Sequence, residues 1–138
     1  MIIRNATIHD LESCEKLSHI PELLWADGGH YYYDFLKNYI SDDSYFLVLE
    51  DNNSVIGYLL GEKLKAGGVI IWSLGIDEKY RRKGLGTQLL KKLEYNAKKD
   101  GCKWIYLVGR ANKEGLKKFY LKNGFSVGER NLEYTKNI

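Results

Sequence analysis

The sequence predicts a single α/β domain built on a mixed sheet, and three observations carry that prediction. Its 138 residues match the usual size of one domain and suffice to bury a core without staples. Apolar runs of strand length, "YFLVLE", "VIGYLLGEKL" and "GVIIWSLGID", follow one another between Tyr45 and Asp77. Segments of helical period stand on either side, clearest where Leu89, Leu90, Leu93 and Ala97 repeat after Leu85.

Taken in order, "MIIRNA" reads as a first strand. Thr7 with Asp10 three residues on resembles a capping box and starts a helix with Leu11, Cys14, Leu17 and Ile20 on one face. Pro21 suits the first turn of a second helical stretch, which Gly28-Gly29 interrupts. "HYYYDFLKNYI" continues as helix, with Tyr32, Phe35, Leu36 and Tyr39 on one side. "YFLVLE" and "VIGYLLGEKL" form a hairpin about a polar turn. "AGG" breaks the chain before "GVIIWSLGID", giving three antiparallel strands. A basic glycine loop leads into the helix from Leu85, which Gly101 ends. "KWIYLVG" is a compact apolar run, read as a buried central strand. "KEGLKKFYLKN" is a short helix closed by Gly124, and "FSVGERNLEYTK" returns as a last strand or hairpin. The predicted order is β-α-α-β-β-β-α-β-α-β, with no linker or repeat across residues 1–138.

Composition narrows the function. A net charge of +3 is too mild to imply nucleic-acid binding. The acidic pair Asp42-Asp43 and Asp51 also disfavour it. Cys14 and Cys102 lack zinc spacing and sit in apolar-periodic segments, so both read as buried thiols. His9, His19 and His30 are dispersed, and no metal site is expected. No segment reads as a signal peptide or a membrane span, so the default setting is the cytoplasm.

One stretch asks for a ligand. "YRRKGLGTQLL" places Arg81, Arg82 and Lys83 beside Gly84 and Gly86 at the start of a helix. Helix N-terminal N–H groups point outward and carry about half a positive charge, and glycine lets an anion approach the backbone. Three cations at that end are unfavourable for the helix itself, so the arrangement points to a diphosphate or similar anion. A P-loop pattern is absent. A dinucleotide fingerprint fails because position 89 is Leu and the preceding strand is the third of an antiparallel run.

The remaining pattern, Arg-x-x-Gly-x-Gly over Arg81–Gly86, resembles the pyrophosphate loop of the GNAT superfamily of N-acetyltransferases. "SLGIDEKYRRKGLGTQLL" resembles that family's strand-loop-helix throughout. "GLKKFYLKNGF" resembles its second signature, an apolar-aromatic-Tyr helix ending in Gly-Phe. The resemblance covers the whole chain, most strongly Val69 to Phe125. It implies one N-acetyltransferase domain over 1–138, a sheet with a splayed pair of strands, about four flanking helices, and acetyl-CoA as co-substrate. Leu74, Gly75 and Ile76 would pair with the pantetheine arm, with a bulge at Gly75. Arg81, Arg82, Lys83, Gly84, Leu85, Gly86 and Thr87 would hold the pyrophosphate. Asn112 would touch the cofactor although it stands one residue early; it also suits a helix N-cap. Tyr120 would be the general acid.

The implied chemistry is direct acetyl transfer to a primary amine, on a small molecule or on a protein lysine or N-terminus. Cys102 lies outside both signatures, which favours direct transfer over an acyl-enzyme. No carboxylate lies between Gly68 and Ile76 to act as base from that strand; Glu62 and a relay through Ser73 are the candidates. The aromatic-rich "WADGGHYYYDFLKNY", with Asp27 and Asp34, offers a wall for a cation. Family members are often dimers, and the C-terminal strand would give an edge for pairing. The alternative is a catalytically silent CoA-binding module.

Overall fold

The computed structural model describes residues 1–19 and 29–138, in two compact units, Met1–Val108 and Gly109–Ile138. The expected helix start at Pro21, and with it Ile20, Asp27 and Gly28, lies outside the described residues.

The first unit holds β1 (Ile2–Asn5), a 3-10 turn (Ile8–Asp10), α1 (Leu11–Leu17), α2 (Tyr33–Lys37), β2 (Phe46–Asp51) and β3 (Ser54–Lys63). It continues through β4 (Gly68–Ile76), a second 3-10 turn (Glu78–Tyr80), α3 (Leu85–Lys99) and β5 (Trp104–Leu107). The strands form one five-stranded sheet in the order β1-β2-β3-β4-β5. All pairs are antiparallel except β4–β5, which is parallel, so the sheet is mixed.

Local chemistry accounts for the elements. Asn52 and Asn53 take φ of 48° and 63°, the left-handed pair that a two-residue hairpin turn requires, so β2 returns at once as β3. The Asp10 carboxylate accepts from the Thr7 N–H at 2.7 Å, which starts the helical segment where the sequence placed it. Arg4 reaches across to the same carboxylate with a two-pronged bond, 2.7 and 2.9 Å, and ties β1 to that turn.

The sheet buries both faces. Leu11, Cys14 and Leu17 of α1 and Leu36 of α2 cluster with Phe46, Val48, Tyr58 and Leu60. Alternation turns Gly61 to the opposite face, where a Cβ would stand 3.1 Å from Leu93 Cδ1 of α3. That closeness explains a glycine in the middle of a strand.

Four expectations need correction. The helix from "HYYYDFLKNYI" is only Tyr33–Lys37: Leu36 is buried, whereas Tyr32 and Phe35 stay exposed, so one apolar anchor supports barely one turn. β5 is not central but the edge of the sheet, and Trp104 and Tyr106 face outward. "FSVGERNLEYTK" forms no strand; Val127, Leu132 and Tyr134 are exposed. Alternation stabilises a strand only when a ladder partner and a covered apolar row exist, and no strand of the sheet pairs with this segment. The histidines are not all dispersed either: the rings of His19 and His30 lie 3.7 Å apart.

The second unit contains α4 (Glu114–Lys122), which Gly124 closes with φ 89°. Among the described residues no helix is long and apolar enough to cross a membrane.

Candidate functional site

The site begins where the sheet opens. β4 pairs with β5 only from Gly68↔Trp104 to Ile71↔Leu107. β4 itself continues to Ile76, still paired with β3 through Gly57↔Ile76. Ser73, Leu74, Gly75 and Ile76 therefore have a ladder partner on the β3 side and none on the β5 side. Such an edge accepts an extended amide chain as if it were a strand.

The bulge on β4 is at Trp72, not at Gly75. Leu60 faces Ser73 and Gly61 faces Ile71, which leaves Trp72 as the extra residue, whereas Gly75 sits in regular register opposite Tyr58. The unpaired residue finds other partners. Its carbonyl accepts from Tyr31 Oη at 2.8 Å and its indole Nε1 donates to Glu62 Oε1 at 2.9 Å. Next to it, buried Ser73 is bonded to buried Tyr58 at 2.6 Å between oxygens.

β4 runs directly into the glycine loop. Lys79 N–H donates to the Asp77 carboxylate at 2.9 Å, and Arg81 Nε donates to the carbonyl of Ile76 at 3.3 Å, so Arg81 also braces the strand end. Arg82 and Gly84 take φ of 63° and 73°. Left-handed residues at this spacing turn backbone N–H groups toward a common side, a conformation that costs a non-glycine residue such as Arg82 roughly 1 kcal/mol or more. The first intrahelical bond of α3 runs from Gln88 N–H to Gly84 O at 3.1 Å. The N–H groups of Leu85, Gly86 and Thr87 thus have no partner within the helix. A Cβ at Gly84 would meet nothing within 4 Å, so the helix end opens onto free space. Arg82 and Lys83 are exposed beside it, with Lys83 Nζ 5.5 Å from the centre of the Tyr80 ring. All ten predicted cofactor residues of the first unit, Leu74 to Ile76 and Arg81 to Thr87, fall on this one strand-turn-helix path.

The α1–α2 face of the sheet carries a second set of groups, of which the sequence alone singled out the aromatic wall and Glu62 but not Trp72. Tyr31, Phe35 and Tyr39 form a ring-to-ring series, with centroids 5.2 and 5.3 Å apart. Tyr39 and Glu62 line a polar cavity of about 270 Å³ with Asn38, Ser41, Asp43, Gly61 and Lys63. Burial, and then the nearby Glu62 carboxylate, holds the Tyr39 phenol above its usual pKa, so it stays protonated. Asp34, expected on this wall, is exposed on α2. Loss of alternation in "VIIWSLG" is the signal that would have found Trp72.

Both cysteines are free and buried, and burial pushes the Cys14 thiol up to about 12. A nucleophilic role for Cys14 is thereby disfavoured. His19 and His30 belong to no group of three or more metal-ligating side chains among the described residues.

Asn112 and Tyr120 belong to the second unit. Asn112 is exposed in a turn, and the N-cap of α4 is Lys113, so the capping role expected for Asn112 is displaced by one residue. Tyr120 stands edge-on to Phe119 and Phe125, with centroids 5.1 and 5.3 Å away. Burial raises its phenol to about 12.

The model of the acetyltransferase (GNAT) family matches residues 6–125. The chain is 37% identical over 81 residues to an uncharacterized N-acetyltransferase of Methanocaldococcus jannaschii, a match covering 58% of this chain and 51% of that one. It thus spans about half the length of that relative. It is 29% identical over 144 residues to an N-alpha-acetyltransferase of Sulfurisphaera tokodaii, covering 89% of this chain and 78% of that one. Its fold is similar to that of the PaiA N-acetyltransferase of Thermoplasma acidophilum, solved in complex with coenzyme A. There the TM-score is 0.78, the identity 26%, and the coverage 94% of this chain and 92% of that one.

Proposed function

The chain belongs to the GNAT family of acetyltransferase enzymes, and on that footing we propose that it moves an acetyl group from acetyl-CoA directly to a primary amine. One observation carries the reading: the β4 edge freed from β5 leads without interruption into the open N-terminus of α3. Pantetheine amides match the first half of that path, and a diphosphate matches the second. Residues 1–138 act as one N-acetyltransferase domain in this reading. The two free buried thiols suit a cytoplasmic setting.

The chemistry follows from the groups present. The amine nitrogen attacks the thioester carbonyl, a C–N bond forms, and the C–S bond breaks. An N–H of Leu74 to Ile76 receives the developing oxyanion. CoA leaves as thiolate and takes a proton, for which the family motif nominates Tyr120. Asn112 keeps its motif-based role beside the cofactor. The amine must first lose a proton. A lysine-like amine with a pKa of roughly 10.4 makes that cost about 4–5 kcal/mol at pH 7, whereas an N-terminal α-amine near 7.7–8.0 costs only about 1 kcal/mol. β4 carries no carboxylate between Gly68 and Ile76, so the low-cost acceptor is favoured. The name of the Sulfurisphaera relative supports the same class. We therefore place peptide or protein α-amines first among acceptors.

Calorimetric titration with acetyl-CoA, followed by thiol release with α-amino peptides, lysine side-chain mimics and polyamines, tests the proposal. Micromolar binding and release with α-amines is the expected result. Binding without release to any amine would mark a silent CoA-binding module. Absence of binding would overturn the assignment of the loop.

A further inference from the structure

Glu62 is a carboxylate without a cation. Its Oε1 accepts from the indole of Trp72 at 2.9 Å, and the Tyr39 phenol lies close enough to have its pKa raised by it. Both of these neighbours are neutral. Among the described residues no ammonium or guanidinium lies within ion-pair distance of it; Arg4 pairs with Asp10 and Glu50, and Lys98 with Glu94. Lys63 shares the cavity wall, but it follows Glu62 on β3, so alternation points it to the other face. The carboxylate is half-buried, oriented by a strand and an indole, flanked by two aromatic rings, and opens on the cavity that Asn38, Ser41 and Asp43 complete. A carboxylate among aromatic faces is the chemistry that receives an alkylammonium or guanidinium.

Its position fixes which cation. Glu62 faces Ile70, and the strand runs four residues further, one of them the bulge, to Leu74. At about 3.3 Å per residue, roughly 10 Å of strand separates the two. A glutamate side chain does not span that distance to an amine attacking beside Leu74. We propose that Glu62, oriented by Trp72, is a specificity-determining residue. It binds a positively charged group of the acceptor other than the amine that is acetylated. That distance corresponds to a basic side chain two or three residues along a peptide, or to the far ammonium of a diamine. The inference rests on the acetyl-transfer reading for what occupies the cavity, and its test separates the two.

Glu62→Gln keeps size and polarity and removes only the charge. For tripeptide amides with lysine or arginine at the second or third position, kcat/KM should fall roughly 10- to 100-fold through KM. For the norleucine counterparts, and for acetyl-CoA binding, it should not change. 1,5-Diaminopentane against pentylamine gives the same contrast for a free diamine, so the two arms tell a peptide from a polyamine as the source of the charge. A loss equal for charged and neutral acceptors would make Glu62 a general base or a structural residue and overturn the proposal, as would no loss at all. If the wild-type protein acetylates nothing, the indole fluorescence of Trp72, taken by difference from Trp72→Phe, still decides. 1,5-Diaminopentane and lysinamide should shift it and the neutral pentanamide should not, with the shift lost in Glu62→Gln. No shift with any cation would refute the cation site independently of the fate of the acetyl-transfer reading.

Discussion

A phenol helps a leaving thiolate only through the proton it holds, and Tyr120 holds its proton firmly. Burial raises it to about 12, above a free thiol at roughly 8.5, so full transfer to CoA is uphill and assistance is partial. Tyr120→Phe should therefore slow turnover by only about 10²-fold, the low end of general-acid effects. The substitution keeps the ring that stands edge-on to Phe119 and Phe125, so the melting temperature and the acetyl-CoA dissociation constant should not move. Steady-state kinetics beside calorimetry checks this. An unchanged turnover number would reduce Tyr120 to a packing residue. Motif position made Tyr120 visible in the sequence. Glu62 is legible in the sequence only as a candidate base, and its pairing with Trp72 not at all, because a strand glutamate looks the same whether solvent or an indole faces it. The cross-strand hydrogen bond from the Trp72 indole to Glu62 is what makes them a pair.

At the scale of elements, the strand-loop-helix was legible because its backbone conformation is written in glycine. Gly84 sits at φ 73°, and a residue with a side chain pays strain there. Gly86 is different: it lies inside the first turn of α3 with no left-handed φ, so its value is approach rather than conformation. That difference yields a prediction. Gly86→Glu adds a carboxylate at a helix N-terminus, which stabilises the helix by about 0.3–1 kcal/mol. The same carboxylate stands where the diphosphate would come. Thermal stability should hold or rise slightly while acetyl-CoA binding falls at least 100-fold, with Gly86→Ala intermediate; melting scans and calorimetry on the same samples read both. Unchanged binding in Gly86→Glu would remove the diphosphate from this loop. Pairing between strands was less legible. Apolar "KWIYLVG" suggests a central strand yet forms the edge, since a sequence shows the apolarity of a run but not how many neighbours it has. "FSVGERNLEYTK" reads as a last strand or hairpin, and a sequence likewise does not show whether a ladder partner exists for it.

For the sheet unit as a whole, stability couples to protons held in its core. Cys14 is fully buried and its thiol is pushed from 9.0 up to about 12, chiefly by burial. Burial likewise holds Tyr45 and Tyr58 above the ordinary tyrosine value of 10.0. In each case the folded state keeps a proton that the unfolded chain releases earlier. Below pH 9 both states are protonated and nothing is lost. Above it the unfolded thiol ionises, and above pH 10 the unfolded phenols follow, while the native groups remain neutral. Unfolding free energy must then fall with rising pH, by up to about 1.4 kcal/mol per pH unit for each group. Urea melts at pH 8, 9, 10 and 11 should show a flat midpoint to about pH 9 and a steepening decline beyond it. Cys14→Ala isolates the first step. It lowers stability at pH 8 by leaving a cavity in the α1 core, yet it should lose about 1 kcal/mol less than the wild type between pH 9 and pH 10. The sign of that difference is the test. If the wild type and the alanine variant decline in parallel across that interval, the thiol of Cys14 does not stay protonated in the folded state, and α1 does not seal it from water.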